Sequence, residues 1–281
     1  MPNFSKILLI VLLTTAASLP AFAQCHSSEA NQAVAASPSQ PTITDSPDTI
    51  APGVGEVEYG WRRAWSGGGA QASSSGVLYK FGVLCNIEFR TYFVPWETAS
   101  APGQPPASGI GDTWMTGQYR FHVQTRNLPA LSMQYTLKQP TADSQDGTGS
   151  GQRDHVIAIS AGKDFKQTSF NFETKYLLFG QANHQAFARY QEYSLNATHG
   201  LVRHFSLTSE IYGDTRSSTH QPGLVSTLWS IGYSTSARLV FDAGIDLGLT
   251  HGAPNKRVFA GVTYAIGDFY KALRHPQSTS D

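Results

Sequence analysis

The chain has 281 residues with 20 basic and 20 acidic side chains, so its formal net charge is zero and nothing points to a nucleic-acid partner. Charged residues make up only 14%, against roughly 25% in soluble domains, while aromatics reach 11% and glycine occurs 26 times. That balance argues against an ordinary water-soluble domain and for one whose outer surface meets lipid.

Met1 to Ala23 has the layout of an export signal: Lys6 near the start, an apolar run from Ile7 to Leu13, and Ala21-Phe22-Ala23 as the cleavage site. The mature chain is expected to begin near Gln24. Cys25 follows at once, but Phe22 and Gln24 are bulky where a lipidation signal wants small residues, so signal peptidase I is the better reading. Residues 24–52 are rich in Ser, Ala, Thr and Pro without apolar periodicity, which predicts a flexible periplasmic lead-in. No later stretch approaches the roughly 18 to 20 apolar residues of a membrane helix.

From residue 53 to 267 the pattern changes. Apolar and polar side chains alternate in segments near 56–65, 76–84, 87–94, 112–121, 130–139, 155–163, 167–178, 190–200, 204–214, 223–234, 237–248 and 257–266. Such alternation sets one row of side chains against lipid and the other inside, so the expected fold is all-β, an antiparallel transmembrane β-barrel of about twelve strands. An even count returns both ends to the periplasm. Cys85-Asn86, His122 to Pro129, Asp164 to Lys166, Leu201 to Arg203 and Thr235-Ser236 are short connections and predict periplasmic turns. Pro95 to Gly111 and Pro140 to Asp154, dense in Gly, Pro, Ser, Asp and Gln, predict exterior loops.

The faces separate well. Val57, Tyr59, Trp61 and Trp65 oppose Glu58 and Arg62; Phe170, Phe172 and Tyr176 oppose Glu173 and Lys175; Phe241 and Ile245 oppose Asp242 and Asp246. Arg63 is the exception, and its place near the outer end of the first strand suits a lipopolysaccharide phosphate. Trp65, Phe93, Trp114, Tyr176, Tyr193 and Tyr264 fall near strand ends, as an interfacial girdle requires. The expected lumen lining is Arg62, Lys80, Glu88, Arg90, Asp112, Arg120, Glu173, Lys175, Glu210, Arg238, Asp242 and Asp246, joined by Glu58, Lys138 and Glu192. Both signs occur, so many should pair across strands. Neutralising Arg90 and Arg238 together is expected to raise cation preference with stability largely intact.

Cys25 and Cys85 both fall on the periplasmic side, where a disulfide is allowed; a clip between them and two unrelated thiols both remain open. His122, His199, His204, His220 and His251 fall at turns or loops and His184 in an outer loop, with no pair at ligand spacing, so no metal or cofactor is implied. His199 is the clear lipid-side histidine, and no serine has a geometric claim on it, which argues against an enzyme.

Several short motifs recur in a fixed order: Asp45-Ser46-Pro47-Asp48, Pro52-Gly53, Glu58-Tyr59-Gly60, Gly109-Ile110-Gly111-Asp112, Gly117-Gln118-Tyr119-Arg120, Pro129-Ala130-Leu131, Pro140-Thr141 and the closing Phe259 to Tyr264. On these, the chain from about Asp45 to Ile266 resembles the transporter-like family named for the MetA pathway of phenol degradation. The resemblance implies an outer-membrane barrel passing small molecules, aromatic or poorly water-soluble ones among them, and supplies no catalytic residues. Such barrels usually end on an aromatic residue read by the assembly machinery, whereas here Ile266 holds that place and a tail, 268–281, follows. Either Tyr264 and Ile266 serve as an internal signal or Phe269 and Tyr270 extend the strand. The expectation is a passive outer-membrane transporter or channel in contact with lipid, lipopolysaccharide and the barrel-assembly machinery. The alternatives are a structural or surface-interaction barrel and, less favoured, a membrane hydrolase.

Overall fold

The structure, a computed structural model, describes residues 34–181, 187–215 and 223–274. The export signal, residues 24–33 with Cys25, His184, His220 and the end of the tail from residue 275 lie outside the described residues. Among the described residues thirteen strands form one sheet: β1 (Val54–Trp65), β2 (Gln71–Leu84), β3 (Ile87–Ser100), β4 (Ala107–Gly109), β5 (Thr113–His122), β6 (Ala130–Gln139), β7 (Asp154–Phe165), β8 (Thr168–Phe179), β9 (Ala188–Gly200), β10 (Phe205–Asp214), β11 (Val225–Ser236), β12 (Leu239–Gly248) and β13 (Lys256–Asp268). A short helix, α1 (Phe269–Arg274), follows.

Each wall strand pairs antiparallel with its neighbours in the chain, and β1 pairs with β13 from Val54↔Asp268 to Trp65↔Lys256, which closes the sheet. β4 only prolongs the outer end of β3 through Glu97↔Gly109, so the wall is a closed antiparallel barrel of twelve strands. Closure leaves no edge with unpaired backbone donors, which lipid could not satisfy. The outward row is apolar and exposed, Trp61, Phe89, Phe172, Ile231 and Phe241 among it, at 36 to 54%. On a water-soluble protein so broad an apolar surface would be a liability, and here it is the lipid face.

Two strands run further outward than their alternation announces. β2 starts at Gln71 rather than near 76, and β3 continues through Pro95 to Ser100, so the first six residues of the expected loop 95–111 belong to the wall. Ser73↔Thr98 and Ser74↔Glu97 hold this hairpin together. Apart from the exposed Trp96 its residues are small or polar, and alternation fades where no continuous apolar face is needed. Phe269 and Tyr270 do not extend β13, which ends at Asp268, but open α1, which folds back on β2. Phe81 packs against Phe269 and Tyr270 at ring-centroid distances of 6.1 and 5.8 Å, and the Tyr270 hydroxyl donates to the Val83 carbonyl at 3.0 Å. Gly53, at a φ of 81°, lets the chain turn under this helix into β1; a side chain there would strike Tyr270.

Candidate functional site: a strap across a charged lumen

The inward row of each wall strand, odd-numbered on β8 and β13 and even-numbered along most of the others, is charged or polar to a degree unusual for a packed interior. Glu56, Glu58, Lys80, Glu88, Gln118 and Glu173 are all at most 1% exposed. Removing a charge from water costs several kcal/mol after relaxation, so each of these groups requires a partner. The partners come largely from a segment expected to be mobile. Residues 34–52, read from sequence as part of a flexible periplasmic lead-in, lie inside the barrel as an extended strap.

The strap enters at the periplasmic end, where the Ala36 amide donates to the carbonyl of Ala237 in the β11–β12 turn at 2.8 Å. It climbs along β1 and β2: the Ser37 amide donates to Glu56 at 2.6 Å, and the Ser39 and Gln40 amides donate to Glu58, both at 2.9 Å. Lys80 joins both carboxylates, at 2.5 Å from Glu56 and 2.8 Å from Glu58, and donates to the Ser37 carbonyl. The strap then crosses to the opposite wall. Glu210 accepts from the Ile43 amide at 2.9 Å, the Thr44 amide at 2.7 Å and the Thr44 hydroxyl at 2.6 Å. Glu173 accepts from the Asp45 amide at 3.0 Å, and Lys175 donates to the Ile43 carbonyl at 2.7 Å.

The return leg is held by cations and an amide. Arg90 bridges Asp45 at 2.8 Å and Glu88 at 2.5 Å, Gln118 donates to the Pro47 carbonyl at 3.0 Å, and Arg120 pairs with Asp48 at 3.0 Å. The Ile50 amide then donates to Glu88 at 2.7 Å before the chain turns into β1. Lacking strand partners, the strap has its backbone amides satisfied by wall carboxylates, each such charge-assisted bond contributing about 1.5 to 3 kcal/mol. At the periplasmic mouth Cys85 is disulfide-bonded. The other cysteine of the chain is Cys25.

The lumen residues expected from sequence therefore divide into groups. Lys80, Glu88, Arg90, Arg120, Glu173, Lys175 and Glu210 grip the strap, with Glu58 beside them. Asp112 meets Lys138 at 3.2 Å near the outer mouth, where Asp154 also reaches Lys138 at 2.6 Å. Asp246 accepts from the Tyr212 hydroxyl at 2.5 Å and pairs with Arg257 at 3.3 Å. Arg62 bonds the Ser74 hydroxyl at 2.9 Å, and the Asp242 carboxylate has no hydrogen-bond partner among the described residues. Arg238 is not on the wall: β12 begins at Leu239, and Arg238 is an exposed residue of the periplasmic turn, so it cannot set the potential inside. Trp114 also departs from expectation, since it shares the inward row with Thr116 and Gln118 and lines the lumen under Lys138 at 5.8 Å, not the outer girdle. His199 on the lipid side bonds the Thr168 hydroxyl at 2.8 Å.

The strap divides the lumen. Toward the exterior loops lies a chamber of about 450 Å³, bounded below by strap residues Ser39 to Ile43. Toward the periplasm lies a second space of about 410 Å³ between the strap, Cys85, Arg120 and Asp164. Glycines thin the chamber wall where the strap rises: Gly76, Gly60 and Gly261 sit side by side on β2, β1 and β13. A Cβ at Gly60 would lie 2.1 Å from the Gln40 side-chain oxygen, and one at Gly76 would lie 2.2 Å from the Tyr92 hydroxyl.

A closed twelve-stranded wall, apolar outside and charged within, defines the class as the outer-membrane type of β-barrel. Among solved structures, the COG4313 outer membrane channel from Pseudomonas putida F1 superposes with a TM-score of 0.65 at 10% identity, over 80% of this chain and 100% of that one. The KdgM porin in complex with disordered oligogalacturonate superposes at 0.52 and 9% identity, over 75% of this chain and 99% of that one. At such identities the likeness shows the fold. No protein-family model matches the chain, and no curated protein matches it.

Proposed function

We propose that the chain is an outer-membrane channel for small solutes whose lumen is closed at rest by its own N-terminal strap. One observation carries this reading: the charged interior is occupied by a non-wall segment held through side-chain grips, with open space on either side of it. An inert barrel of twelve strands has a simpler solution in apolar or small interior side chains. The likeness to a named channel and a named porin supports the reading at the level of fold. The motif resemblance to the MetA-pathway family adds aromatic or poorly water-soluble molecules to the candidate cargo.

The same reading places the protein in the outer membrane after removal of a signal near Ala23, with its long loops outside. Lipopolysaccharide phosphate has a matching feature on the outer face, where the Arg63 guanidinium and Lys256 ammonium lie 5.2 and 4.9 Å from the Trp65 ring. A second reading, a plugged barrel with a structural role, is favoured by how many grips the strap makes. Planar-bilayer recordings of the purified protein distinguish the two. A channel gives rare, discrete, salt-dependent openings, and a folded barrel that stays silent throughout contradicts the proposal.

A further inference from the structure

The turns at the periplasmic end carry charge of one sign. Residues 123–129 between β5 and β6, 166–167 between β7 and β8, 201–204 between β9 and β10 and 237–238 between β11 and β12 each hold one arginine or lysine and no acid. These are Arg126, Lys166, Arg203 and Arg238, all exposed and none in an ion pair among the described residues. The acids at this end are otherwise engaged. Asp164 accepts from the Ser169 hydroxyl at 2.5 Å, Asp268 from the Lys271 amide at 3.0 Å, and Asp48 pairs with Arg120 at 3.0 Å. The exterior loop 140–153 differs, since it mixes Asp143 and Asp146 with Arg153.

The cations sit where turn geometry alone does not ask for them. Lys166 and Arg203 both have a φ of 56°, in the left-handed region that glycine or asparagine enters at least cost. The turn that carries Arg126 is built around a further cation: Lys163 on β7 donates to the carbonyls of Arg126 and Leu128, both at 3.1 Å. Successive turns are two strands apart, which spaces the four charges by roughly 10 Å along the rim. They form an arc from β5 to β12, eight of the twelve wall strands, and that spacing lets each meet a separate anionic group.

An apolar side chain accompanies three of the four. Leu128, Phe165 and Val202 lie close in the chain to Arg126, Lys166 and Arg203 and are 54, 57 and 80% exposed. Phe165 packs edge-on against the lipid-facing Phe170 at 6.1 Å, so the apolar surface of the wall runs on as far as Lys166. A cation directly beyond an apolar group is the composition of a headgroup boundary, where the apolar part meets acyl chains and the charge reaches phosphate.

We propose that this arc is a docking surface for anionic phospholipid in the leaflet that faces the periplasm. The four cations meet lipid phosphates, and Leu128, Phe165 and Val202 meet the upper acyl chains. An anionic cell-wall glycan lacks the acyl part that would cover those apolar groups, so lipid is the occupant assigned. The choice of leaflet rests on the orientation given with the channel reading.

Electron spin resonance of the barrel refolded into phosphatidylcholine vesicles tests it, with spin-labelled phosphatidylglycerol or phosphatidylcholine as the probe and the fraction immobilised at the wall as the readout. Phosphatidylglycerol should be preferred at least about threefold at low salt, and the preference should vanish near 1 M salt, where charges are screened within about 3 Å. Joint replacement of Arg126, Lys166, Arg203 and Arg238 by glutamine should abolish it. Arg63→Gln with Lys256→Gln, at the opposite end, should leave most of it. If the fourfold variant does not fold, the pairs Arg126→Gln/Lys166→Gln and Arg203→Gln/Arg238→Gln should each lose part of the preference. No preference in the native barrel, an unchanged preference in the turn variants, or a loss only in the opposite-end variant would each overturn the assignment. So would co-sedimentation with purified cell-wall sacculi that depends on the four cations in a barrel without lipid preference. Bilayer recording on the same preparation keeps the two readings apart: conductance without the preference removes the surface and leaves the channel, and the preference without conductance does the reverse.

Discussion

Replacing Glu210 by alanine is expected to free the strap without opening the wall. Glu210 has no cationic partner among the described residues, and its carboxylate accepts three bonds from Ile43 and Thr44 at 2.6 to 2.9 Å. Hydrogen bonds to a charged group contribute about 1.5 to 3 kcal/mol each, but bonds sharing one acceptor are not additive. A net loss of about 3 kcal/mol is therefore a reasonable figure, and at about 1.4 kcal/mol per decade it raises the population of released strap roughly a hundredfold. The wall should survive, because the β10 ladders to β9 and β11 do not use the Glu210 side chain. Single-channel recording should show a large gain in open time, and limited proteolysis should begin to cut within 36–50. A variant that folds, resists unfolding by detergent as the native barrel does, and shows neither change would refute the reasoning that Glu210 holds the strap in the lumen.

Three other outcomes follow from the same geometry. Contrary to the sequence expectation that neutralising Arg90 leaves stability intact, Arg90→Ala should be costly, about 3 to 5 kcal/mol by chemical denaturation, because it abandons Asp45 and the buried Glu88 together; Arg238→Ala in the turn should cost almost nothing. Phe241→Lys places a charge on the lipid face and should destabilise the barrel, by up to the roughly 2 to 4 kcal/mol that such a charge costs at the midplane, measured by refolding into vesicles. A cysteine at Ser144, in the loop after β6, should be labelled by an impermeant thiol reagent on intact cells, and one at Ser236, at the end of β11, should not. The reverse pattern would invert the barrel in the membrane.

The wall was legible in sequence because lipid imposes one rule on every strand. Phe170, Phe172 and Tyr176 alternate with Glu173 and Lys175 along β8 because a one-residue slip would put charge into hydrocarbon. That rule stops at the membrane surface, which is why Gln71 to Ser75 and Pro95 to Ser100 did not read as strand. It also fails at a turn, where Arg238 keeps the inward parity of Asp242 but no longer has a wall behind it. The strap obeys a different rule. Its attachment is made mainly by backbone amides, which every residue possesses, so a segment of Ser, Pro, Thr and Gln looks unstructured until the carboxylates that receive it are placed. The one side-chain signal was Asp45 and Asp48 in the first shared motif, acids that meet Arg90 and Arg120.

The most direct test of the central claim is a reversible lock on the strap. Thr44→Cys with Glu210→Cys removes the grip and leaves two thiols that a short bis-thiosulfonate reagent can join, with the native protein under the same reagents as control. The account predicts frequent conductance before joining, closure once gel mobility shows the link, and recovery when a reductant cleaves it. Unchanged conductance in a barrel whose strap is demonstrably linked to β10 would contradict it.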